Sequence, residues 1–138
     1  MAANSQFSMA VHVLTLLARS EGRNLKSDEI ADSVNTNPVV IRRLLGQLAN
    51  AGLVMSQSGA HGGTRLAKRA DDVLLCDVYG AVCCGDVFAL HGSPNQDCPV
   101  GRGIETVLCN LQKQIDNSIG STLAKYTLRD ITQMVEEQ

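Results

Sequence analysis

The sequence predicts a mainly α-helical fold that carries one short β-hairpin and one long helix in its C-terminal half. Three observations support this prediction. The 138 residues include two Phe, two Tyr and no Trp, so Leu, Val, Ile and Ala must build the core. Apolar residues recur at three- and four-residue steps in several segments. A single Gly-rich segment, 58–63, separates two short extended runs.

Composition indicates one globular protein, since 44% of the residues are hydrophobic and 19% are charged. No apolar run is long enough to span a membrane, and the first residues lack the pattern of a secretory signal. We therefore expect a cytoplasmic protein with no membrane partner.

The first predicted helix covers residues 7–19 and ends at Glu21-Gly22. The second is short and begins at Ser27, which can cap a helix. A third begins at Asn37-Pro38, where Asn is a good cap and Pro fits the first helical position, and Gly52 ends it. The short turn 35–37 between the last two helices is typical of a helix-turn-helix.

Two extended runs, 53–57 and 64–68, flank the Gly-rich tip and predict a β-hairpin that follows the helix-turn-helix. This order of elements is a winged helix-turn-helix over roughly the first 70 residues. Glycines at the tip would let the backbone approach a DNA phosphate or the minor groove. A nucleotide phosphate loop would end in Lys followed by Ser or Thr, and this segment does not.

The C-terminal half begins with a predicted helix over 73–84 and a loop up to Cys98. A long helix follows from Pro99, with an apolar stripe that faces either a second subunit or the chain's own core. Thr127 caps a last short helix with Asp130 at its third position. We divide the chain into a DNA-binding domain (1–84), a sensor loop (85–98) and a dimerisation helix with the C-terminal helix (99–138). The stripe comprises Val100, Ile104, Val107, Leu108, Leu111, Ile115 and Ile119.

Charge is divided unevenly along the chain. The net charge is −2, but residues 33–70 contain five basic and no acidic residues. The rest carries seven basic and fourteen acidic residues. This asymmetry indicates one surface for a polyanion on an acidic body, although basic residues also cluster on ordinary solvated faces.

We expect the third helix and the hairpin to contact DNA. Arg can bind guanine through two hydrogen bonds, and Val can contact a thymine methyl group. The alternative for the two helix arginines is an ordinary solvated role. The predicted contact residues are Asn37, Val39, Val40, Arg42 and Arg43 on the helix, and His61, Gly62, Gly63 and Arg65 on the hairpin.

Four segments resemble the Rrf-two family of bacterial winged-helix regulators, which includes IscR, NsrR and CymR. They are residues 27–31 (SDEIA), residues 51–54 (AGLV), the pair Gly62-Gly63 followed by Leu66-Ala67, and residues 77–82 (DVYGAV). The resemblance implies a DNA-binding transcription regulator, typically a repressor. It also implies a homodimer on a pseudo-palindromic operator. His91, Pro94, Asn95 and residues 98–101 (CPVG) look like the loop of YwnA-like members, which lack an iron–sulfur ligand set.

Family members such as IscR hold an iron–sulfur cluster with three Cys in this loop. Here Cys98 is the single cysteine between residues 85 and 101, so we predict no cofactor and no metal. A cluster-sensing regulator that uses Cys83, Cys84, Cys98 and His91 is the alternative.

Cys98 precedes the long helix, where the helix dipole stabilises a thiolate. With His91 and Arg102 as neighbours, it is a candidate sensor of an oxidant or a small electrophile. The alternative is a residue that only starts the helix. Cys83 and Cys84 either pack in the core or form a disulfide with Cys98 after oxidation. We expect Cys76 and Cys109 to be core residues.

Two other functions are weighed against this interpretation. A winged helix used only for protein–protein assembly would not need a 38-residue segment free of acidic residues. An enzyme would need a nucleophile motif, a metal-binding His pair or paired carboxylates, and we find none in the sequence. We therefore expect a DNA-binding protein and not an enzyme.

Overall fold

The computed structural model describes residues 5–83, 87–88 and 90–138. Within these ranges the chain forms six α-helices and one two-stranded antiparallel sheet. The elements in chain order are α1 (Gln6–Arg19), α2 (Ser27–Val34), α3 (Pro38–Asn50), β1 (Val54–Gln57), β2 (Gly63–Leu66), α4 (Leu75–Val82), α5 (Pro99–Leu123) and α6 (Leu128–Glu136).

One core of aliphatic side chains joins α1, α2, α3, α4 and α6. Leu14, Ile30, Ile41 and Val78 are fully buried in it, as the helical spacing of apolar residues predicts. Leu128 of α6 is buried in the same core, and α6 packs on α1. The C-terminal helix is therefore physically part of the N-terminal unit, although the division by sequence places it with the dimerisation helix at 99–138.

The helix-turn-helix consists of α2 and α3. Asn35 ends α2 in the left-handed conformation, with φ of 66°, which Asn tolerates better than most residues. Asn37 caps α3 because its Oδ1 accepts the Val39 N–H at 2.8 Å, and Pro38 takes the first helical position. The predicted start of this helix is confirmed.

The start of α2 differs from the prediction by one residue. Lys26 occupies the cap position, and its N–H donates to Glu29 Oε1 at 3.3 Å, so Ser27 is the first helical residue. The Glu29 side chain therefore satisfies the N–H of the cap residue, whereas Ser27 at the cap would have accepted an N–H from the first turn of the helix.

The hairpin pairs β1 with β2, with Met55 opposite Arg65. The strand pairs next to its tip are held to the turn before α2, since Leu25 and Thr64 exchange backbone hydrogen bonds of 2.9 and 2.8 Å. Thr64 is buried, and its hydroxyl lies 3.4 Å from that of Ser56. The wing is thus fixed to the helix-turn-helix through β2, near its tip.

After a 3₁₀ turn at Ala70–Asp72, the helix α4 begins later than predicted, because Val73 and Leu74 are extended and Leu74 pairs with Thr127. The segments around α4 and α6 are joined by backbone hydrogen bonds, from Leu75 N–H to the Tyr126 carbonyl at 3.0 Å and from Leu128 N–H to the Val73 carbonyl at 2.8 Å. The predicted cap of α6 is confirmed, since Thr127 Oγ1 accepts the Asp130 N–H at 3.1 Å.

The long helix α5 begins at Pro99, as predicted, with Cys98 at the cap position. It contacts α4, yet Gln112 is the one α5 residue that is buried. Most of its apolar stripe is therefore open in the single subunit. In the part of the chain that the structure describes, no helix combines the length and apolarity needed to cross a bilayer.

Candidate nucleic-acid interface

The outward face of α3 carries cations and apolar side chains side by side. Arg42 and Arg43 are exposed, and neither forms an ion pair with any described residue. Val39 is 56% exposed and Val40 38% exposed. A valine side chain can contact a thymine methyl group, and an arginine side chain can donate two hydrogen bonds to a guanine edge. The structure therefore brings these four predicted residues together on one helix.

Asn37, the remaining predicted residue of α3, is exposed at the beginning of the helix. Its side-chain oxygen already accepts the Val39 N–H. An Asn with its carbonyl engaged in this way keeps its amide donor for a further partner, so its cap role and a phosphate contact are compatible.

The wing follows α3 closely in space. Gly52 takes φ of 76° after the helix, and Leu53 N–H then donates to the Leu48 carbonyl at 3.0 Å. His61 at the tip and Arg65 on β2 are exposed. The exposed Met55 lies opposite Arg65, so it adds an apolar group to the same strand pair.

The paired glycines of the wing have a structural reason within the chain. A Cβ on Gly62 would overlap the Gln57 carbonyl oxygen, and one on Gly63 would lie 2.6 Å from that of Leu25. Gly62 is buried and Gly63 half-buried. Both residues allow the hairpin to close against its neighbours, whereas Gly59, with φ of 102°, has open space around it. Direct DNA contact by Gly62 and Gly63 stays a prediction.

The basic segment 33–70 forms an exposed positive surface. All five of its cations are exposed, and Arg69 is the one that pairs, with Asp71 at 3.2 Å. Arg65 and Lys68 also line an open groove of about 770 Å³ between the C-terminal end of α1, β2 and α6. Lys68 was not among the predicted contact residues, although its place in the acid-free segment is a sequence signal that could have found it.

The loop before α5 is an ordered turn from Pro94 onwards. Asn95 Oδ1 accepts the Asp97 N–H at 2.9 Å, and the Asn95 carbonyl accepts the Cys98 N–H at 3.3 Å. A Cβ on Gly101 would overlap that carbonyl oxygen. The sequence therefore requires glycine at position 101 for the loop to lie against the first turn of α5.

Cys98 is exposed within this turn. Arg102 directs one guanidinium N–H to the Gln96 carbonyl at 3.3 Å, one turn into α5. His91 is exposed, and the described hydrogen bonds do not join it to Cys98. The thiol thus lies at the start of α5, one turn before Arg102, and the predicted nearness of His91 stays a prediction.

The described cysteines are not grouped with other side chains of the types that bind metals. In ranges 5–83, 87–88 and 90–138, no three His, Cys, Asp or Glu side chains are grouped as metal ligands would be. Cys76, Cys83 and Cys109 are half-buried on or beside helices, short of the full burial expected for Cys76 and Cys109. Cys84 lies outside the described residues.

Comparison with known proteins gives the same fold and the same class of protein. The chain is 38% identical to the HTH-type transcriptional regulator YwnA of Bacillus subtilis (strain 168) over 129 residues, 93% of this chain and 95% of that one. The crystal structure of a DNA-binding protein superimposes with a TM-score of 0.74 at 34% identity, covering 92% of this chain and 98% of that chain.

A more distant structure shows the fold alone. CymR, the global cysteine regulator of B. subtilis, has a TM-score of 0.69 at 20% identity, with 97% of this chain and 98% of that chain covered. Over residues 3–134 the chain also matches the Rrf2 (Rrf-two) family, described as an iron-dependent transcriptional regulator. The predicted family and the predicted winged helix-turn-helix are therefore confirmed, and this chain belongs to the Rrf2 family of DNA-binding transcriptional regulators.

Proposed function

We propose that this protein is a cytoplasmic homodimeric repressor that binds a pseudo-palindromic operator, with one α3 helix in the major groove of each half-site. The observation that carries the proposal is the outward face of α3, where the unpaired Arg42 and Arg43 lie beside the exposed Val39. Recognition helices of helix-turn-helix proteins contact base edges with residues near their N-terminus. These side chains lie within the first two turns of α3.

The homodimer is supported by α5. Val100, Val107, Leu111 and Ile115 on this helix are between 36% and 69% exposed. Twenty-five residues form a helix of about 37 Å, which is long for one that buries a single residue of its own subunit. A second copy that packs on the same stripe would cover it with twofold symmetry and place two α3 helices on one side of the DNA.

DNA recognition is tested with Arg43→Ala on a duplex of about 30 base pairs, three helical turns, selected by the parent protein from a random-sequence library. Loss of a bidentate contact should weaken binding by about 1–3 kcal/mol, roughly 5- to 150-fold. Lys125→Ala is the control, because Lys125 is an exposed cation between α5 and α6 and its loss changes the net charge equally. If the two variants lose affinity equally, Arg43 acts only through its charge and does not read bases.

We also propose that modification of Cys98 regulates DNA binding. The exposed sulfur lies in a turn that hydrogen-bonds to the start of α5, the helix that is proposed to join the subunits. The thiolate would add to a ring carbon of a quinone, forming a C–S bond while the ring C=C π electrons move to a carbonyl oxygen. That oxygen takes a proton from water, and the ring proton at the new C–S carbon moves through water to the second oxygen, which leaves a hydroquinone thioether. The added ring would lie beside the Asn95 turn, at the start of the helix that is proposed to join the subunits.

Treatment with benzoquinone should change the affinity for the selected duplex in the parent protein and leave Cys98→Ser unchanged. Cys109→Ser is the matched control, since Cys109 is half-buried on the same helix and should leave the response intact. Equal responses in the parent and in Cys98→Ser would refute the sensing role while leaving the DNA-binding proposal in place.

A further inference from the structure

Gly46 lies in the interior of α3 without a reason inside the subunit. It is exposed, its φ is in the ordinary helical range, and a Cβ at this position would have no atom within 4 Å. Gly in an exposed helix interior is less favourable than Ala, because it loses more backbone entropy on folding. The fold alone would therefore favour a larger residue here.

The position of Gly46 on the helix indicates what the missing side chain makes room for. At about 100° per residue, Gly46 lies about 20° from Val39 and about 60° from Arg43 around the axis, and Asn50 lies on the same face. The buried residues of α3 lie on the opposite side. Gly46 is thus on the row that points directly away from the core, together with two of the residues proposed to read bases. The buried residues are Ile41, Leu44, Leu45 and Leu48.

We propose that Gly46 sets the depth at which α3 enters the major groove, with the DNA in direct contact with the helix backbone at this residue. A helix with its side chains is about 10–12 Å wide, and the major groove is about 12 Å wide and 8.5 Å deep. The size of the side chains that face the groove floor therefore limits how deeply the helix can enter. Removal of one side chain from the row that faces the groove floor brings the helix axis closer to the bases. Val39 and Arg43, on the same outward face and nearer the N-terminus of α3, then reach the base edges with short contacts.

This inference rests on the proposed function, because it needs α3 to be the helix that enters the groove. Gly46 is a positioning residue here. Its substitution should raise the stability of the fold and lower the affinity for DNA, so the two effects can be told apart. Gly46→Ala should raise Tm by roughly 2–4 °C, as an exposed helical Gly→Ala change does. The same variant should bind the selected duplex about tenfold or more weakly, and Gly46→Leu should bind more weakly still, since each added carbon lifts the helix further.

Gly80→Ala is the matched control. Gly80 is an exposed glycine of α4, also in ordinary helical conformation and with no atom within 4 Å of a Cβ. It should raise Tm by a similar amount and keep the parent affinity for DNA.

The outcomes are distinct. If Gly46→Ala binds within about twofold of the parent while Arg43→Ala is impaired, the depth role is wrong and the proposed DNA-reading helix stands. If Gly46→Ala lowers Tm or changes the oligomeric state in sedimentation, the glycine serves the fold or a second copy, and the inference is overturned. If the parent protein selects no sequence from the library, the proposed function itself fails and the inference fails with it.

Discussion

Replacement of Leu111 by Ala should weaken the proposed dimer without unfolding the subunit. Leu111 lies in the middle of the open stripe of α5 and is 45% exposed in the single chain. Val107 and Ile115, one turn before and one turn after it, are 54% and 36% exposed. A second copy that covers these residues would remove the remaining surface of each from water.

The magnitude follows from that exposed fraction. Full burial of a Leu side chain is worth about 1.5–3 kcal/mol, so covering the exposed 45% of Leu111 contributes about 1 kcal/mol in each subunit. A twofold interface contains the residue twice, which gives about 2 kcal/mol per dimer. The dimer dissociation constant should therefore rise roughly 30-fold. Leu111→Asp should raise it further, since a carboxylate would have to be buried without a partner.

Sedimentation equilibrium over a range of protein concentrations measures this constant directly, and circular dichroism checks that the helical content is kept. Asn117→Ala is the control, because Asn117 is exposed about 120° around α5 from Leu111. The reasoning would be refuted by a dissociation constant within threefold of the parent value, or by a parent protein that stays monomeric.

Two further predictions concern stability. Thr127→Ala removes the side-chain oxygen that accepts the Asp130 N–H, and should lower the free energy of unfolding in urea by about 1 kcal/mol, whereas Thr127→Ser should keep most of it; equal losses would contradict the cap role. The Lys26 backbone N–H and the Arg23 side chain lower the pKa of Glu29 below its ordinary value of 4.5. A lowered folded-state pKa gives stability that is present above the ordinary value and lost as the pH falls through the folded value. Glu29→Gln should therefore reduce the dependence of unfolding free energy on pH below about 5, and parallel curves for the two proteins would contradict this.

Helix starts could be predicted because their signals are local. Asn37-Pro38 and Cys98-Pro99 each place a fixed proline φ at the first helical position, and Thr127 places an acceptor three residues before an N–H that needs one. These arrangements depend on neighbouring residues only, so tertiary packing does not change them. The cap of α2 was predicted one residue too late, because Lys26 takes the cap position and its N–H donates to the Glu29 side chain.

Contacts between distant segments could not be predicted in the same way. Nothing near Leu128 in the sequence indicates that α6 packs on α1, more than a hundred residues earlier. The paired glycines of the wing were predicted to approach DNA. The carbonyls that exclude a Cβ there belong to Gln57, across the hairpin tip, and to Leu25, before α2, and their positions follow only from the folded chain. Gly46 was overlooked since periodicity counts apolar side chains, and a residue without a side chain contributes no signal to that count.

The attachment of α5 to the rest of the subunit has a mechanical consequence. Backbone hydrogen bonds around Leu74, Thr127 and Leu128 fix the C-terminal end of this helix to α4 and to the core, while the turn at Cys98 holds its other end about 37 Å away. In a dimer whose subunits cross along α5, a tilt of about 5° displaces one end relative to the other by about 3 Å. That displacement exceeds the working range of a hydrogen bond to a base edge. In the proposed dimer, a small change of angle at the start of α5 would therefore be sufficient to take both α3 helices out of register with their half-sites.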